Sequence, residues 1–279
     1  MVKLEDLEKH EWPYKSTKLK LEIRLPGSST INYLAKDEKD DLYVVKFGDH
    51  IHNEHSIMSK LKKAGSHQNV LTSCSLKETK ISVKLNKLIA SNVDVKYLVL
   101  PYLGQRDLLK FLNSRKIISP ELTIDLSTQL ADGLAYIHKN AGTHGDLKPD
   151  NVILVNGKKQ GQQNLRPVII DFDTIPGLEA SITGSRYYLA PEVWSGHYSP
   201  QADLYSLGVI MFRALEGRLP FLGSTHQEAH QEHTKAPVPK LKNAPPSLAK
   251  IVTKLLAKAP TDRYQSAREV RREFLHVKG

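Results

Sequence analysis

The sequence predicts an α+β protein in which a small, antiparallel β-rich part with one main helix precedes a larger, mainly helical part. Between residues 19 and 47, short runs of alternating apolar and polar residues follow one another, as consecutive strands require. After Leu103 the apolar residues instead recur at helical spacing over long stretches. With 279 residues, of which 40% are hydrophobic, the chain can fill the core of one large domain or of two lobes.

The first part contains five predicted strands and one predicted helix. The run "PGSS" predicts a turn between the first two strands, because proline and glycine are typical of turns. Between residues 51 and 63, Ile57, Met58 and Leu61 recur at helical spacing and predict the main helix. The N-terminal stretch "VKLEDLEKHEW" is either a short helix that caps this part or a docking element for a partner. The strands are expected at "LKLEIRL", "INYLA", "LYVVKF", "SVKLNKLIA" and "VKYLVL".

The second part contains four long helical stretches and one polar interruption. Residues 156–167, "NGKKQGQQNLRP", contain glycine and show no periodicity, which predicts a surface loop between two strand-like runs, "NVILV" and "PVIIDF". The helices are expected at "RDLLKFLNSR", "SPELTIDLSTQLADGLAYIHKN", "ADLYSLGVIMFRALEG" and "PPSLAKIVTKLLAKAP".

Composition and charge exclude several classes of protein. The longest apolar runs, "YLVLPYL" and "LGVIMF", are far shorter than the roughly 20 residues of a membrane-spanning helix. The charged N-terminal stretch is unlike a secretory signal, and the single cysteine, Cys74, excludes an intramolecular disulfide, so we expect a cytoplasmic protein. The net charge of +10 favours acidic partners or polyphosphates. We expect no nucleic-acid partner, because the basic clusters, such as "REVRRE", lack interleaved aromatic residues and are expected to face water. The oligomeric state stays open.

Five polar residues stand in the order that phosphoryl transfer requires. This chemistry needs metal ligands, a lysine on the phosphates and a carboxylate that orients the attacking hydroxyl. Asp146 and Asn151 lie five positions apart in "HGDLKPDN", and Asp171 follows an apolar run in "VIIDFD". Lys46 ends "YVVK", and Glu54 follows on the predicted helix, where it can pair with that lysine. Their joint order and spacing match the kinase signature set.

With these motifs the chain resembles the eukaryotic-like, Hanks-type serine/threonine protein kinases, particularly the compact bacterial ones, over roughly residues 14–275. The resemblance implies the two-lobed protein-kinase fold as a single domain over residues 1–279. The small lobe would span about 14–100, the hinge 101–103 and the large lobe about 104–275. ATP with Mg²⁺, or Mn²⁺, would lie between the lobes, and the γ-phosphoryl group would pass to serine or threonine hydroxyls of a protein substrate.

The resemblance also implies a role for each signature residue. Lys46 would hold the α- and β-phosphates, and Glu54 would fix Lys46. Asp146 would accept or orient the proton of the substrate hydroxyl, and Lys148 would contact the γ-phosphate. Asn151 and Asp171 would hold the magnesium ion.

The adenine and ribose positions carry over from the same resemblance. Leu100 matches the gatekeeper position, and the hinge runs from Pro101 to Leu103. The backbone carbonyl at Pro101 and backbone groups at Leu103 would pair with adenine, so the missing N–H of proline is not needed. Asp107 matches a position that can bond the ribose, or it is a charge favoured by the start of a helix.

Two motifs depart from the family pattern. The phosphate-covering loop, expected as G-x-G-x-x-G, has only Gly27, followed by Ser28 and Ser29. This departure keeps open a pseudokinase scaffold that binds nucleotide without turnover. The magnesium motif has Asp173 where glycine is usual, so that Asp173 either restricts a backbone flip or adds a carboxylate to the metal site.

His144-Gly145-Asp146 with Asp-Phe-Asp also resembles the aminoglycoside and choline type of small-molecule phosphotransferase. Three features favour a protein kinase over this alternative. Lys148-Pro149 continues the catalytic loop as in serine/threonine kinases. The run "GSRYYLAPE" resembles a substrate-docking loop with Ser185 in the usual threonine position and Glu192 at its end. In the run that resembles the central helix, Asp203 would anchor the catalytic loop, and Arg263 would pair with Glu192.

Gly145 replaces the arginine that pairs with an activating phosphate in many kinases. We therefore expect activity without phosphorylation of the activation segment, although Ser181 or Thr183 could be autophosphorylated.

His226, His230 and His233 recur at helical spacing that is compatible with a metal ion. Because "HQEAH" is not the His-Glu-x-x-His zinc motif, we expect solvated histidines on a helix face.

Overall fold

The computed structural model describes residues 4–26, 30–84, 90–159, 162–172 and 185–278. The chain divides into two units, the first formed by Met1–Lys62 and Thr72–Leu103 and the second by Lys63–Leu71 and Gly104–Gly279. Antiparallel strands dominate the first unit and helices the second, which confirms the predicted α+β class.

The first unit is a six-stranded antiparallel sheet with the strand order β1-β2-β3-β4-β6-β5. Alternation in β2 buries Leu19 and Leu21 and leaves their neighbours exposed, so one face of the sheet forms the core. One helix, α2, follows β4. The elements are α1 (Leu4–Glu8), β1 (Trp12–Tyr14), β2 (Thr17–Leu25), β3 (Ile31–Lys36), β4 (Leu42–Phe47), α2 (Ile51–Lys63), β5 (Ser75–Lys84) and β6 (Ala90–Pro101).

The N-terminal segment packs on this sheet. Leu7 of α1 is buried, and its backbone oxygen accepts a hydrogen bond from Nε1 of the fully buried Trp12 at 3.1 Å. Glu8 accepts a hydrogen bond from the hydroxyl of Tyr33 at 2.9 Å. The Trp12 ring meets Phe47 edge to face at 4.6 Å. Of the two roles considered for this segment, the structure therefore has the short helix that caps the β-rich part.

The second unit is built around α5, whose residues from Ala202 to Phe212 are all buried. Ser199 caps its first turn by accepting a hydrogen bond from the Ala202 N–H, and Gly217 ends it in the left-handed conformation, φ +68°. Gly208 lets α7 approach, because a Cβ there would lie 2.8 Å from Leu255 Cβ. The helices are α3 (Leu108–Arg115), α4 (Pro120–Asn140), α5 (Pro200–Glu216), α6 (His226–Lys235), α7 (Pro246–Leu255) and α8 (Ala267–Lys278).

Residues 63–71 belong to the second unit, where hydrogen bonds attach them to β8. The Leu71 N–H donates to the Ile169 carbonyl at 2.9 Å, and the Ile169 N–H donates to the Asn69 carbonyl at 2.8 Å. The side chain of Asn69 donates to the Pro167 carbonyl at 2.8 Å. These bonds satisfy buried polar groups that the segment would otherwise leave unpaired.

The structure corrects two sequence predictions. The predicted surface loop at 156–167 is largely a hairpin, in which β7 (Val152–Lys159) pairs antiparallel with β8 (Gln162–Ile169). The polar half of the hairpin nearest its turn is held by backbone hydrogen bonds and not by burial of side chains. Its sequence therefore lacks the alternation of apolar and polar residues that would have predicted strands. The fourth strand was predicted too late in the chain, since β5 runs from Ser75 to Lys84.

Candidate active site

The catalytic-loop backbone is anchored by Asp203, which lies in the first turn of α5 with only 2% of its surface exposed. Its Oδ2 accepts the His144 N–H at 2.8 Å, and its Oδ1 accepts the Gly145 N–H at 2.9 Å. Burial by itself would raise the pKa of Asp203. The hydrogen bond and charge of His138, together with the hydrogen bond from the His144 N–H, hold that pKa below its usual value.

Two histidines extend this anchor, and the sequence motifs gave neither of them a role. His138 of α4 places Nε2 2.8 Å from Asp203 Oδ2. His144 donates from Nε2 to the Ile170 carbonyl at 3.0 Å, so its Nδ1 is left to accept the Asp146 N–H at 3.3 Å. His144 therefore links the catalytic loop to the residue before Asp171.

Gly145 has a backbone φ of +82°, in the left-handed region that side chains disfavour. The backbone conformation thus favours glycine at this position, independently of the effect on regulation that the sequence suggests. The turn lets two consecutive N–H groups, those of His144 and Gly145, reach one carboxylate.

Asp146 lies at the centre of a small polar cluster. Lys148 Nζ is 2.7 Å from Asp146 Oδ2, and both side chains are about 15% exposed. Asn151 donates from Nδ2 to the Asp146 backbone oxygen at 2.9 Å and to its Oδ2 at 3.2 Å. Tyr198, which the sequence motifs did not indicate, lies near this cluster. Burial and the charge of Asp146 raise the pKa of its phenol.

Asp171 follows β8 and is held in an uncommon backbone conformation, φ +67°. The Ile170 N–H donates to the Asn151 carbonyl at 3.0 Å, which brings the start of "DFD" beside the end of the catalytic loop. Phe172 is buried, and its ring lies 5.3 Å from that of His144. The two predicted metal ligands, Asn151 and Asp171, are thus neighbours.

In the first unit, Lys46 of β4 and Glu54 of α2 form the ion pair that their spacing predicts. Lys46 Nζ lies 2.9 Å from both carboxylate oxygens, and the residues are 6% and 1% exposed. Burial raises the pKa of the Cys74 thiol to about 11, and the Glu54 charge acts in the same direction. Cys74 is therefore a protonated packing residue at neutral pH.

The residues predicted to contact adenine and ribose lie at the end of β6, just after it, and immediately before α3. Leu100 is buried near the end of β6, where Pro101 pairs in register with Tyr43 of β4. Leu103 is half-buried. Asp107 caps α3, because its Oδ1 accepts the Lys110 N–H at 2.7 Å, and its Oδ2 lies 2.9 Å from Lys110 Nζ. The helix-start interpretation of Asp107 is thus present in the structure.

Several predicted residues lie outside the described ranges. They are Gly27, Ser28 and Ser29 of the phosphate loop, Asp173 of the magnesium motif, and the candidate phosphorylation sites Ser181 and Thr183. Ser185 begins a short 3-10 turn that ends at Tyr187.

Glu192 and Arg263 form a bidentate ion pair. Arg263 places its two terminal nitrogens 2.6 and 2.8 Å from the two carboxylate oxygens. It also donates to three backbone carbonyls, those of Ala257, Gln201 and Lys258. The Arg263 side chain has no exposed surface, so the guanidinium depends on these acceptors.

The histidines of α6 differ from the prediction of a solvated face. His230 is exposed and stacks on Trp194 at 5.1 Å, but His233 is fully buried and lies with its Nδ1 2.9 Å from the Tyr205 hydroxyl. Ala229 and His233, four residues apart, form the inward side of the helix. Burial, together with the charges of Lys258 and His230, lowers the pKa of His233 to about 3.

Comparisons with known proteins agree with this geometry. The family model described as protein kinase domain matches residues 27–275. The chain is 28% identical over 189 residues to the serine/threonine-protein kinase PrkC of Bacillus subtilis, which covers 63% of this chain and 28% of that protein. It is 31% identical over 177 residues to human serine/threonine-protein kinase ULK1, covering 61% and 16% respectively. For serine/threonine-protein kinase unc-51 of Caenorhabditis elegans the identity is 30% over 224 residues, covering 72% and 26%.

The chain thus spans less than a third of the length of these relatives. Within the described ranges, no helix is long and apolar enough to cross a bilayer. The family match extends over most of the sequence and includes the catalytic loop and the Glu192–Arg263 pair. The chain therefore belongs to the protein kinase domain family.

Proposed function

We propose that this chain transfers the γ-phosphoryl group of ATP–Mg²⁺ to serine or threonine hydroxyls of protein substrates. The observation that carries the proposal is the cluster around Asp146, whose carboxylate has Lys148 at 2.7 Å and the Asn151 amide at 3.2 Å. Asp203 holds the backbone of the same loop. Phosphoryl transfer depends on positioned charges more than on covalent chemistry, and this loop supplies them.

In this proposal Asp146 orients the substrate hydroxyl and accepts its proton. Lys148, already beside that carboxylate, offers its ammonium group to the γ-phosphate. Tyr198, whose pKa is raised by burial and by the Asp146 charge, would lie near that hydroxyl. Ser185 would take part in substrate docking, and the Glu192–Arg263 pair would hold the end of that docking loop.

The residues proposed as metal ligands fit a magnesium ion, which prefers oxygen donors. The Asn151 side chain donates two hydrogen bonds to Asp146 from Nδ2, so its amide oxygen can serve as the ligand of a cation. Asp171 contributes a carboxylate one residue beyond the Ile170–Asn151 backbone bond. A bound magnesium ion would neutralise charge on the β- and γ-phosphates.

For the nucleotide we propose that Lys46, oriented by Glu54, binds the α- and β-phosphates. Leu100, Pro101 and Leu103 would contact adenine. Asp107 could reach the ribose with an oxygen beyond its capping bond to Lys110. The loop containing Gly27, Ser28 and Ser29 would cover the phosphates.

Gly145 supports a further part of the proposal, that activity does not require a phosphate on Ser181 or Thr183. A glycine offers no guanidinium to such a phosphate. If the Ser181→Ala, Thr183→Ala double variant lost phosphorylation of an added substrate, this part would be wrong. A cytoplasmic location stays a prediction from the sequence.

The function is tested with purified protein, labelled ATP, Mg²⁺ and a generic basic protein, with Asp146→Ala as the paired variant. Label in protein that disappears with Asp146→Ala supports the proposal. Exposed Asp262→Ala is a matched control that removes a carboxylate from the same unit, and it should leave the label unchanged.

The same assay separates the two alternatives that the sequence leaves open. Label found only in a small metabolite would support a small-molecule phosphotransferase. A nucleotide-dependent thermal shift without any turnover would support a pseudokinase scaffold.

A further inference from the structure

A cleft of about 730 Å³ lies in the second unit, between residues 63–71, α4 and the first half of α8. Its volume is that of a small-molecule site, which typically measures roughly 300–1,000 Å³. None of its lining residues belongs to the catalytic loop 144–151 or is Asp171. The cleft is therefore distinct from the proposed site of phosphoryl transfer.

The floor of the cleft is organised by contacts between these three segments. Asp132 of α4 has Oδ1 3.1 Å from Arg271 Nε of α8 and Oδ2 3.5 Å from His67 Nε2. The His67 ring stacks on Tyr136 at 5.0 Å, and the Tyr136 hydroxyl donates to the Gly65 carbonyl at 2.5 Å. These contacts are present without a ligand and link the three segments around the cleft.

The rim of the cleft is cationic. Arg268, Arg271 and Arg272 fall at i, i+3 and i+4 on α8 and share one face, and Lys139 faces them from α4. Among the described residues, Lys139, Arg268 and Arg272 form no ion pair. One carboxylate, Asp132, therefore stands against four cationic side chains, and among the described residues three of them, Lys139, Arg268 and Arg272, have no carboxylate within ion-pair distance.

The position of Arg268 is not one that the stability of α8 requires. Arg268 occupies the first turn of α8, where the helix dipole disfavours a cation. Like charges at neighbouring helix positions and across a cleft repel one another. The sequence predicted that "REVRRE" only faces water. In the structure, the exposed Arg268 and Arg272 also border a concave surface with a prearranged floor.

We propose that this cleft binds the phosphate group of a phosphorylated ligand. Arginine forks bind phosphate oxygens in pairs, and a phosphate monoester carries close to two negative charges at neutral pH. That charge matches several unpaired cations better than the single charge of a carboxylate does. The stacked His67–Tyr136 pair offers an aromatic surface to the part of the ligand that carries the phosphate.

Inorganic pyrophosphate and a phosphoserine peptide with neutral flanking residues are the two probes. Each is titrated by calorimetry into the full chain at 0.15 M salt with EDTA, which suppresses metal-dependent binding at the proposed catalytic site. The salt screens diffuse surface attraction and retains specific contacts. The cleft variant is Arg268→Glu with Arg272→Glu. The control is Lys240→Glu with Lys250→Glu, two exposed lysines outside the cleft with the same change of charge.

We expect the cleft variant to weaken binding at least about tenfold, since each lost charge-assisted bond contributes that much or more, and the control to bind as the wild type does. The NMR resonances of the His67 ring should shift on titration.

Binding of pyrophosphate alone identifies a free phosphate compound, and binding of the peptide alone identifies a phosphorylated segment of a protein. Either result supports the site. Absence of binding by both probes, equal loss in both variants, His67 resonances that do not move, or equally tight binding of a glutamate peptide would overturn it.

Discussion

Asp203 Oδ1 lies 2.9 Å from the backbone nitrogen of Gly145, while Oδ2 of the same carboxylate accepts the neighbouring N–H of His144. One buried side chain on α5 thus holds the turn that presents Asp146. The stability of the catalytic loop and the geometry of the proposed chemistry depend on the same bonds.

Asp203→Asn should destabilise the protein, because an amide nitrogen would face one of two backbone N–H donors. Each buried donor left unpaired costs about 1–3 kcal/mol, which urea unfolding measures. Exposed Asp262→Asn should change the free energy of unfolding by no more than about 0.5 kcal/mol. Because its folded pKa is lowered, Asp203 stabilises the fold above the ordinary aspartate pKa, and this contribution is lost as the pH falls below it.

Gly145→Ala should cost about 1–2 kcal/mol, the penalty for a side chain in the left-handed region. It should also lower the rate of phosphorylation, because relief of the strain moves Asp146. Gly142, at φ +98° and with no neighbouring atom within 4 Å of where a Cβ would lie, provides the control. Gly142→Ala should be destabilised to a similar extent and keep its rate. A Gly145→Ala protein as stable as the wild type would contradict the prediction.

Lys46→Met should destabilise the first unit by about 3–5 kcal/mol, because it removes the ammonium group beside the buried Glu54 carboxylate. Adding Glu54→Leu should restore much of the loss, since two apolar groups replace an ion pair without leaving a buried charge. Chemical denaturation of the two single variants and the double variant completes the cycle. Lys18→Met removes an exposed pair with Glu11 and should have no measurable effect. Additive single-variant effects would count against the prediction.

Arg263→Lys should be strongly destabilising although it keeps the charge. Lysine has three donors on one nitrogen and cannot serve both Glu192 oxygens and three backbone carbonyls at once. Each acceptor left unsatisfied costs about 1–3 kcal/mol, which thermal or urea unfolding detects. Arg24→Lys, at an exposed position of β2, should unfold like the wild type.

His233 should make the protein less stable as the pH falls from about 6.5 toward 5. Its folded pKa is lowered to about 3, so in this range only the unfolded chain takes up the proton. The slope is at most about 1.4 kcal/mol per pH unit. His233→Gln loses the bond to Tyr205 at every pH, but its disadvantage relative to the wild type should shrink as the pH falls. A difference that stays constant from pH 8 to pH 5 would refute the assignment.

Local signals in the sequence determined the α+β class, the strands from β2 to β4, the long helices and the order of the signature residues. Alternation and helical spacing report burial along one element, and the spacing of Lys46 and Glu54 is short enough for their ion pair to be predicted. The Glu192–Arg263 pair was predicted by family resemblance. Polar residues with no buried face carry no such signal, which is why the hairpin of β7 and β8 was taken for a loop.

Only the tertiary structure decided which side chains meet across elements. Two such contacts join positions far apart in the chain: His138 with Asp203, and residues 63–71 with β8. The burial of His233 likewise depends on packing between elements. The same holds for Arg271, Asp132 and His67, which bring a basic run on α8 into a cleft. Periodicity shows that a residue faces inward or outward, but packing in three dimensions determines what it faces.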